Sequence, residues 1–146
     1  MSLHEALYKP PRLLTVKVAF QGRQAIEALV DGGSQLNLMS AVLAKELDLQ
    51  VSPLPRMVAE GVSGTELPVY GTTTTSVAIT DSRGRVQVHN VPFVVSDLRR
   101  YKVYLGLPWI DDCDPKLSYL SRRLLFKGEK SKDQPKFEKL AIEDAD

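Results

Sequence analysis

The most unusual chemical group in the sequence is the carboxylate of Asp31, which stands inside an apolar run. Residues 28–40 are A-L-V-D-G-G-S-Q-L-N-L-M-S, so Asp31 follows three hydrophobic residues and precedes two glycines. A carboxylate in such surroundings is costly unless hydrogen bonds or a shared charge stabilise it. Gly32 and Gly33 would allow a tight turn that brings N–H groups to the carboxylate. Two interpretations follow: a functional carboxylate on a tight loop, or an Asp-Gly hairpin turn in which Asp31 bonds only its own backbone.

Other groups that could do chemistry are sparse. Cys113 lies in the polar string D-D-C-D-P with no activating base beside it, which indicates a bystander thiol. His4 and His89 are too few and too far apart for a metal cluster. The aspartates around Cys113 lack the alternating spacing and the glycine of a calcium loop, and they favour a solvated turn before Pro115. The sequence therefore predicts no metal site and no cofactor.

Composition excludes several classes of protein. The 146 residues suit one domain, and the 43% hydrophobic and 25% charged residues are typical of a soluble globular protein. No apolar run approaches the length of a membrane span, and the net charge of +1 gives no field to attract nucleic acid or anionic lipid. One cysteine excludes an intrachain disulfide, and the N-terminus lacks the pattern of a signal peptide. We therefore expect an intracellular, cytoplasmic protein with no nucleic-acid or membrane partner.

The elements that must position Asp31 are a β-hairpin before it and a helix after it. Residues 13–20 and 23–30 alternate in polarity with period two, and Gln21-Gly22 between them suits a turn. From Ser40, the residues S-A-V-L-A-K-E-L-D-L have helical spacing, with Ser40 as the N-cap. This predicts a helix of about two turns directly after the Asp31 loop.

The rest of the chain predicts more strands. Residues 56–60 are extended before the glycine-bracketed G-V-S-G, and two β-branched segments flank a turn at D-S-R-G. A closing hairpin is expected within L-S-Y-L-S-R-R-L-L-F. Many short strands with one short helix predict an all-β domain that is closed or strongly curled. We expect an irregular leader over 1–12, the domain over 13–127, and a charged, disordered tail over 128–146.

Three segments, in order, resemble those of retropepsin-like aspartic proteases. A-L-V-D-G-G-S-Q-L-N-L-M-S resembles the active-site segment of that family, in which Asp is followed by Ser or Thr, then Gly, then Ala or Ser. V-Y-L-G-L-P-W-I is similar to the second, glycine-containing motif, in the form found in gypsy-type LTR retrotransposon polyproteins. G-V-S-G between them is similar to the glycine-rich tip of the family's flap. The resemblance covers about residues 13–126 and implies a retropepsin-like closed barrel, a single lobe of the acid protease fold.

The resemblance also implies roles for individual residues. Asp31 matches the catalytic aspartate, and Gly32, Gly33 and Ser34 form the active-site loop around it. The flap tip is matched by Gly61, Val62, Ser63 and Gly64. The second motif contains Leu105 and Gly106, and Gly106 matches its glycine. Because aspartic proteolysis needs two carboxylates and the chain has one such segment, the resemblance implies a homodimer with Asp31 facing its symmetry mate. Peptide or polyprotein substrates would bind beneath the flap, with no metal and no cofactor.

Gly32 departs from the family pattern. Active members carry Ser or Thr there, and the hydroxyl bonds across the dimer interface; glycine has none. The leading hypothesis is a homodimeric aspartic endopeptidase of retroelement origin, weakened by Gly32. The alternatives are a catalytically inactive retropepsin fold that serves dimerisation or peptide binding, and an unrelated monomeric β-barrel with an Asp-Gly turn at residues 31–33.

Overall fold

The computed structural model describes residues 13–54, 58–60 and 66–127, and these residues form a closed β-barrel with two short helices. The predicted leader, flap tip and tail lie outside the described residues. The strands are β1 (Leu14–Ala19), β2 (Ile26–Val30), β3 (Leu38–Ser40), β4 (Val58–Glu60), β5 (Glu66–Thr80), β6 (Val86–Ser96), β7 (Val103–Leu105), β8 (Lys116–Ser118) and β9 (Arg123–Leu125).

Two hairpins supply most of the barrel, as the alternating sequence predicts. β1 and β2 pair antiparallel with Leu14 opposite Val30, and Gly22 adopts a φ of 71° in the turn. β5 and β6 form a longer antiparallel pair, in which every second residue of β6 from Val91 to Val95 is buried. The sequence prediction of both hairpins is confirmed, since the period-two pattern places one face of each strand in the core.

A strand from late in the chain lies between two early ones and closes the barrel. β7 pairs parallel with β2 on one side and antiparallel with β3 on the other. β3 pairs parallel with β6, and β1 pairs with β5, so the ring runs β1, β2, β7, β3, β6, β5 and back to β1. β4 pairs antiparallel with the first residues of β5, while β8 and β9 form a separate hairpin. The prediction of an all-β closed barrel is confirmed.

The core fills the interior of this ring with side chains from all its strands. The most completely buried apolar residues have no exposed surface, and they include Val18, Val77, Ile79, Val103 and Leu105. Burial of this apolar surface is the main contribution to folding free energy, at roughly 25 cal/mol per Å². The strand ends that carry functional groups are therefore anchored to a rigid interior.

Two helices flank the barrel, one predicted and one not. α1 (Ala41–Glu46) begins after Ser40, whose hydroxyl accepts the N–H groups of Val42 and Leu43 at 3.2 and 3.5 Å, so the predicted N-cap is confirmed. α2 (Leu107–Cys113) follows Gly106 directly and is an addition to the predicted single helix. A proline in the first helical turn is well tolerated, because the N–H that it lacks would have no partner there. The aspartates before Cys113 accordingly belong to the end of a helix rather than to a loop.

Within the described residues, no helix combines the length and the apolar character required to cross a membrane.

Candidate functional site

Asp31 stands directly after β2, at the point where the chain leaves the barrel wall. Its backbone N–H donates to the Leu105 carbonyl at 2.9 Å, which continues the β2–β7 pairing by one residue. Its Oδ1 accepts the Gly33 N–H at 2.9 Å, and its carbonyl accepts the Ser34 N–H at 3.1 Å. The half-buried carboxylate is therefore held in a fixed direction by a tight loop.

Gly32 and Gly33 were expected to allow a tight turn through the backbone freedom of glycine, and the structure shows a different reason for them. Neither Gly32 nor Gly33 has a positive φ, so the backbone shape alone does not require glycine at either position. A Cβ added to Gly33 would lie 3.2 Å from its bonded Asp31 oxygen, and one added to Gly32 would lie 3.2 Å from the Tyr119 hydroxyl. The glycines thus provide close approach rather than an unusual backbone conformation.

The second motif packs against this loop through Gly106. A Cβ built on Gly106 would lie only 2.2 Å from the Leu36 carbonyl oxygen and 2.7 Å from the Ser34 carbonyl oxygen. The Ser34 carbonyl also accepts the Leu107 N–H at 2.8 Å, and the Ser34 hydroxyl donates to the Leu36 carbonyl at 2.7 Å. The structure therefore brings Asp31, Gly32, Gly33 and Ser34 together with Leu105 and Gly106, whereas the four flap-tip residues lie outside the described residues.

Asn37 is a site-building residue whose role was missed at the sequence level. Asn37 is 3% exposed, its Oδ1 accepts the Gly106 N–H at 2.9 Å, and its Nδ2 donates to the Pro92 carbonyl at 3.2 Å. The Asn37 carbonyl also accepts the Val94 N–H at 2.8 Å. A polar residue between two leucines was the available signal, because buried amides are kept where they satisfy backbone groups.

A cavity of about 630 Å³ opens in front of Asp31. Asp31, Gly32 and Gly33 form part of its wall, together with apolar residues of β1 and β2 and three tyrosines. Arg100 also lines it, and this group of tyrosines and one arginine had not been assigned to the site from sequence. The other lining residues are Leu13, Leu14, Leu29, Val30, Tyr101, Tyr104 and Tyr119.

The charges of Asp31 and Arg100 both affect the pKa of Tyr104. Burial raises the pKa of Tyr104, the Asp31 carboxylate raises it further, and the Arg100 guanidinium lowers it. Tyr101 packs edge-on against Tyr104 with 6.1 Å between ring centroids. The cavity therefore combines an aromatic wall with one acidic and one basic side chain among its described lining residues.

Metal and thiol chemistry find no support in the described part of the chain. No cluster of three or more His, Cys, Asp or Glu residues there could hold a metal ion. Burial and the neighbouring aspartates raise the pKa of Cys113 to about 12, so this thiol stays protonated at neutral pH.

The chain is similar to one protein-family model and to solved structures. Residues 27–134 match the family model for the PEG10/RTL1 protease domain. Among solved structures, the retroviral protease-like domain of Ddi1 from Leishmania major is similar with a TM-score of 0.51 and 17% identity, covering 80% of this chain and 95% of that one. EIAV protease in complex with the inhibitor HBY-793 gives a TM-score of 0.49 and 21% identity, covering 76% of this chain and 97% of that one. A comparison with curated protein sequences finds no match.

Proposed function

Because the chain belongs to the PEG10/RTL1 protease domain family, we propose that it is a homodimeric aspartic endopeptidase, with Asp31 as the single catalytic residue that each copy contributes. The family is retrotransposon-derived and retropepsin-like, and the closed barrel agrees with it. The observation that carries the proposal is the placement of Asp31, a half-buried carboxylate on a tight loop at the wall of a cavity of about 630 Å³.

The chemistry requires a second carboxylate beside the first. Two Asp31 side chains that meet at about 3 Å across a two-fold axis share one proton, because both cannot ionise easily at that distance. The ionised member accepts a proton from a water molecule whose oxygen attacks the peptide carbonyl carbon, and the protonated member gives its proton to the carbonyl oxygen. As the tetrahedral intermediate collapses and the C–N bond breaks, the carboxyl that took the proton from water gives it to the amide nitrogen, and the other carboxylate takes back a hydroxyl proton from the intermediate, which restores the shared proton.

The loop around Asp31 supports this role by fixing the carboxylate. The Gly33 N–H donates to Asp31 Oδ1 and fixes its direction, and the packing of Gly106 against the carbonyls of Ser34 and Leu36 holds the loop in place. In this proposal the substrate lies extended in the cavity, bonded mainly through its main chain to the floor and to the flap that the sequence resemblance implies.

Gly32 supports a second candidate, a catalytically silent module that binds peptides or dimerises through the same fold. Glycine offers no hydroxyl to bond across a two-fold axis. The loss of one such bond in each copy weakens the dimer by roughly 0.5 to 1.5 kcal/mol per bond. A weaker dimer assembles the carboxylate pair less often, which lowers activity without altering the fold.

The test measures cleavage of a peptide library between acidic and neutral pH. The endopeptidase proposal expects wild type to cleave and Asp31→Asn to be at least about a thousandfold slower. Equal cleavage by both proteins would reject Asp31 as the catalytic residue. No cleavage by wild type or Gly32→Ser, despite a dimer demonstrated by sedimentation, would favour the silent module.

A further inference from the structure

The cavity in front of Asp31 contains one basic side chain among its described lining residues, that of Arg100. We propose that Arg100 is a specificity-determining residue that selects peptides carrying an acidic side chain near the apolar residues that fill the cavity. This inference rests on the proposed function insofar as the cavity is taken to receive a peptide, and it adds the chemical class of that peptide.

Arg100 is available for such a contact. Its side chain is exposed, and it forms no salt bridge with any of residues 13–54, 58–60 or 66–127. Its guanidinium carbon lies 5.6 Å from the centre of the Tyr101 ring, a cation–π contact that orients the group without consuming its in-plane N–H donors. Arg100 therefore presents a fork of donors that matches a carboxylate.

The position of Arg100 relative to Asp31 limits where the acidic residue can lie. Tyr104 pairs with Leu29 between β2 and β7, and Leu29 precedes Asp31 by two residues. The Arg100 guanidinium lies over Tyr101, the Tyr101 ring packs against the Tyr104 ring, and Arg100 and Asp31 line the same cavity. Since an extended peptide advances about 3.3 Å per residue, the acidic side chain belongs within a few residues of the bond that faces Asp31.

The remaining lining explains why the acidic residue must have apolar neighbours. Leu29 and Val30 are buried apolar residues of the cavity lining, and Tyr101, Tyr104 and Tyr119 line the same cavity. An apolar or aromatic peptide side chain gains from burial there, whereas an isolated charge does not. A lysine in place of the acid would face the guanidinium and be repelled, so the selection works in both directions.

The experiment separates recognition from cleavage by using Asp31→Asn as a binding form of the full chain. Short fluorescein-labelled peptides carry a central apolar pair with Glu, Gln or Lys at each flanking position, and their binding is measured by anisotropy at low and high salt. With Arg100 present, we expect the best Glu peptide to bind about tenfold tighter than its Gln counterpart. In Arg100→Gln this preference should fall below about twofold, and in Arg99→Gln, which alters an exposed neighbour outside the cavity lining, it should persist.

The outcomes distinguish the proposed role of Arg100 from the proposed endopeptidase activity. Equal binding of Glu and Gln peptides, or no peptide binding at all, would overturn the role of Arg100. A smaller sedimentation mass for Arg100→Gln than for Arg99→Gln would also overturn it, since Arg100 would then pair with a second copy. An Arg100-dependent Glu preference with no cleavage by wild type supports the recognition and rejects the endopeptidase. Cleavage without charge preference retains the endopeptidase and rejects the recognition.

Discussion

The side-chain carbonyl of Asn37 accepts the backbone N–H of Gly106 at 2.9 Å, although the two residues are 69 positions apart in the sequence. This bond joins the chain that leaves the Asp31 loop to the chain that begins α2. It satisfies the Gly106 N–H directly after β7 has ended at Leu105. A single buried amide thus fixes the two segments of the candidate site against each other.

We predict that Asn37→Ala destabilises the domain by about 2 kcal/mol. The substitution leaves the buried Gly106 N–H and the Pro92 carbonyl without their partner, and an unsatisfied buried group loses its full hydration energy. Urea unfolding followed by circular dichroism measures the change. Asn90→Ala, which removes an exposed bond to Ser76, is the control and should change stability by less than about 0.5 kcal/mol. Equal losses in the two variants would contradict the special role of Asn37.

Gly106→Ala should be far more damaging than Gly32→Ala. The new methyl at position 106 would lie 2.2 Å from a backbone carbonyl oxygen that cannot move without breaking the loop, whereas at position 32 it meets only the Tyr119 hydroxyl at 3.2 Å. We expect a loss of about 3 kcal/mol or more for Gly106→Ala and under about 1 kcal/mol for Gly32→Ala, by thermal and urea unfolding. A Gly106→Ala domain as stable as wild type would show that the two segments are not in backbone contact.

His89 links the barrel to α2 through a neutral imidazole. The Trp109 indole N–H donates to His89 Nδ1 at 2.9 Å, which leaves the ring proton on Nε2 to donate to Gln87 Oε1 at 2.9 Å. Burial lowers the pKa of His89, and the nearby Asp112 carboxylate opposes this in part. Protonation of Nδ1 would remove the acceptor of Trp109, so the folded state favours the neutral ring.

Stability should therefore decrease on acidification through His89. Because the pKa of His89 is lower in the folded state than its ordinary value of about 6.5 in the unfolded state, the unfolded state takes up the proton first. The contribution of His89 to the free energy of unfolding is complete above about pH 6.5 and is lost as pH falls through the pKa of His89 in the folded state. Unfolding free energies of wild type and His89→Gln between pH 5 and 7.5, followed by the fluorescence of the single tryptophan, check this. Their difference should change with pH, and parallel curves would contradict the prediction.

The parts of the molecule that sequence could predict are those set by local pattern. The hairpin ending at Asp31 and the helix capped by Ser40 follow from polarity and hydrogen bonding within about ten residues. The role of Asn37 depends instead on Gly106, and the cavity depends on Arg100 and Tyr119 reaching the loop from distant parts of the chain. Such contacts leave no periodic signal. Helix α2 was not predicted, because its residues follow the apolar run of β7 across Gly106 with no helical periodicity long enough to indicate it, although proline suits a first turn.

Gly32→Ser should strengthen the proposed dimer. The serine Cβ would lie 3.2 Å from the Tyr119 hydroxyl, and Tyr119 is 40% exposed, so it can move by the few tenths of an ångström required and the domain should still fold. A hydroxyl at this loop gives each copy a group that can bond across the two-fold axis, and two such bonds contribute about 1 to 3 kcal/mol. The dissociation constant measured by sedimentation equilibrium should therefore fall at least about fivefold.

Gly32→Ala separates the hydroxyl from the added carbon in this last comparison, because alanine meets Tyr119 at the same distance but donates nothing. We expect Gly32→Ala to dissociate as readily as wild type, or more readily, while Gly32→Ser associates more tightly and cleaves faster at the same subunit concentration. If both variants shift the dimer equally, packing rather than a hydrogen bond governs this position. If Gly32→Ser tightens the dimer without raising cleavage, the missing hydroxyl is not what limits Asp31, and the peptide-binding function becomes the better account of the site.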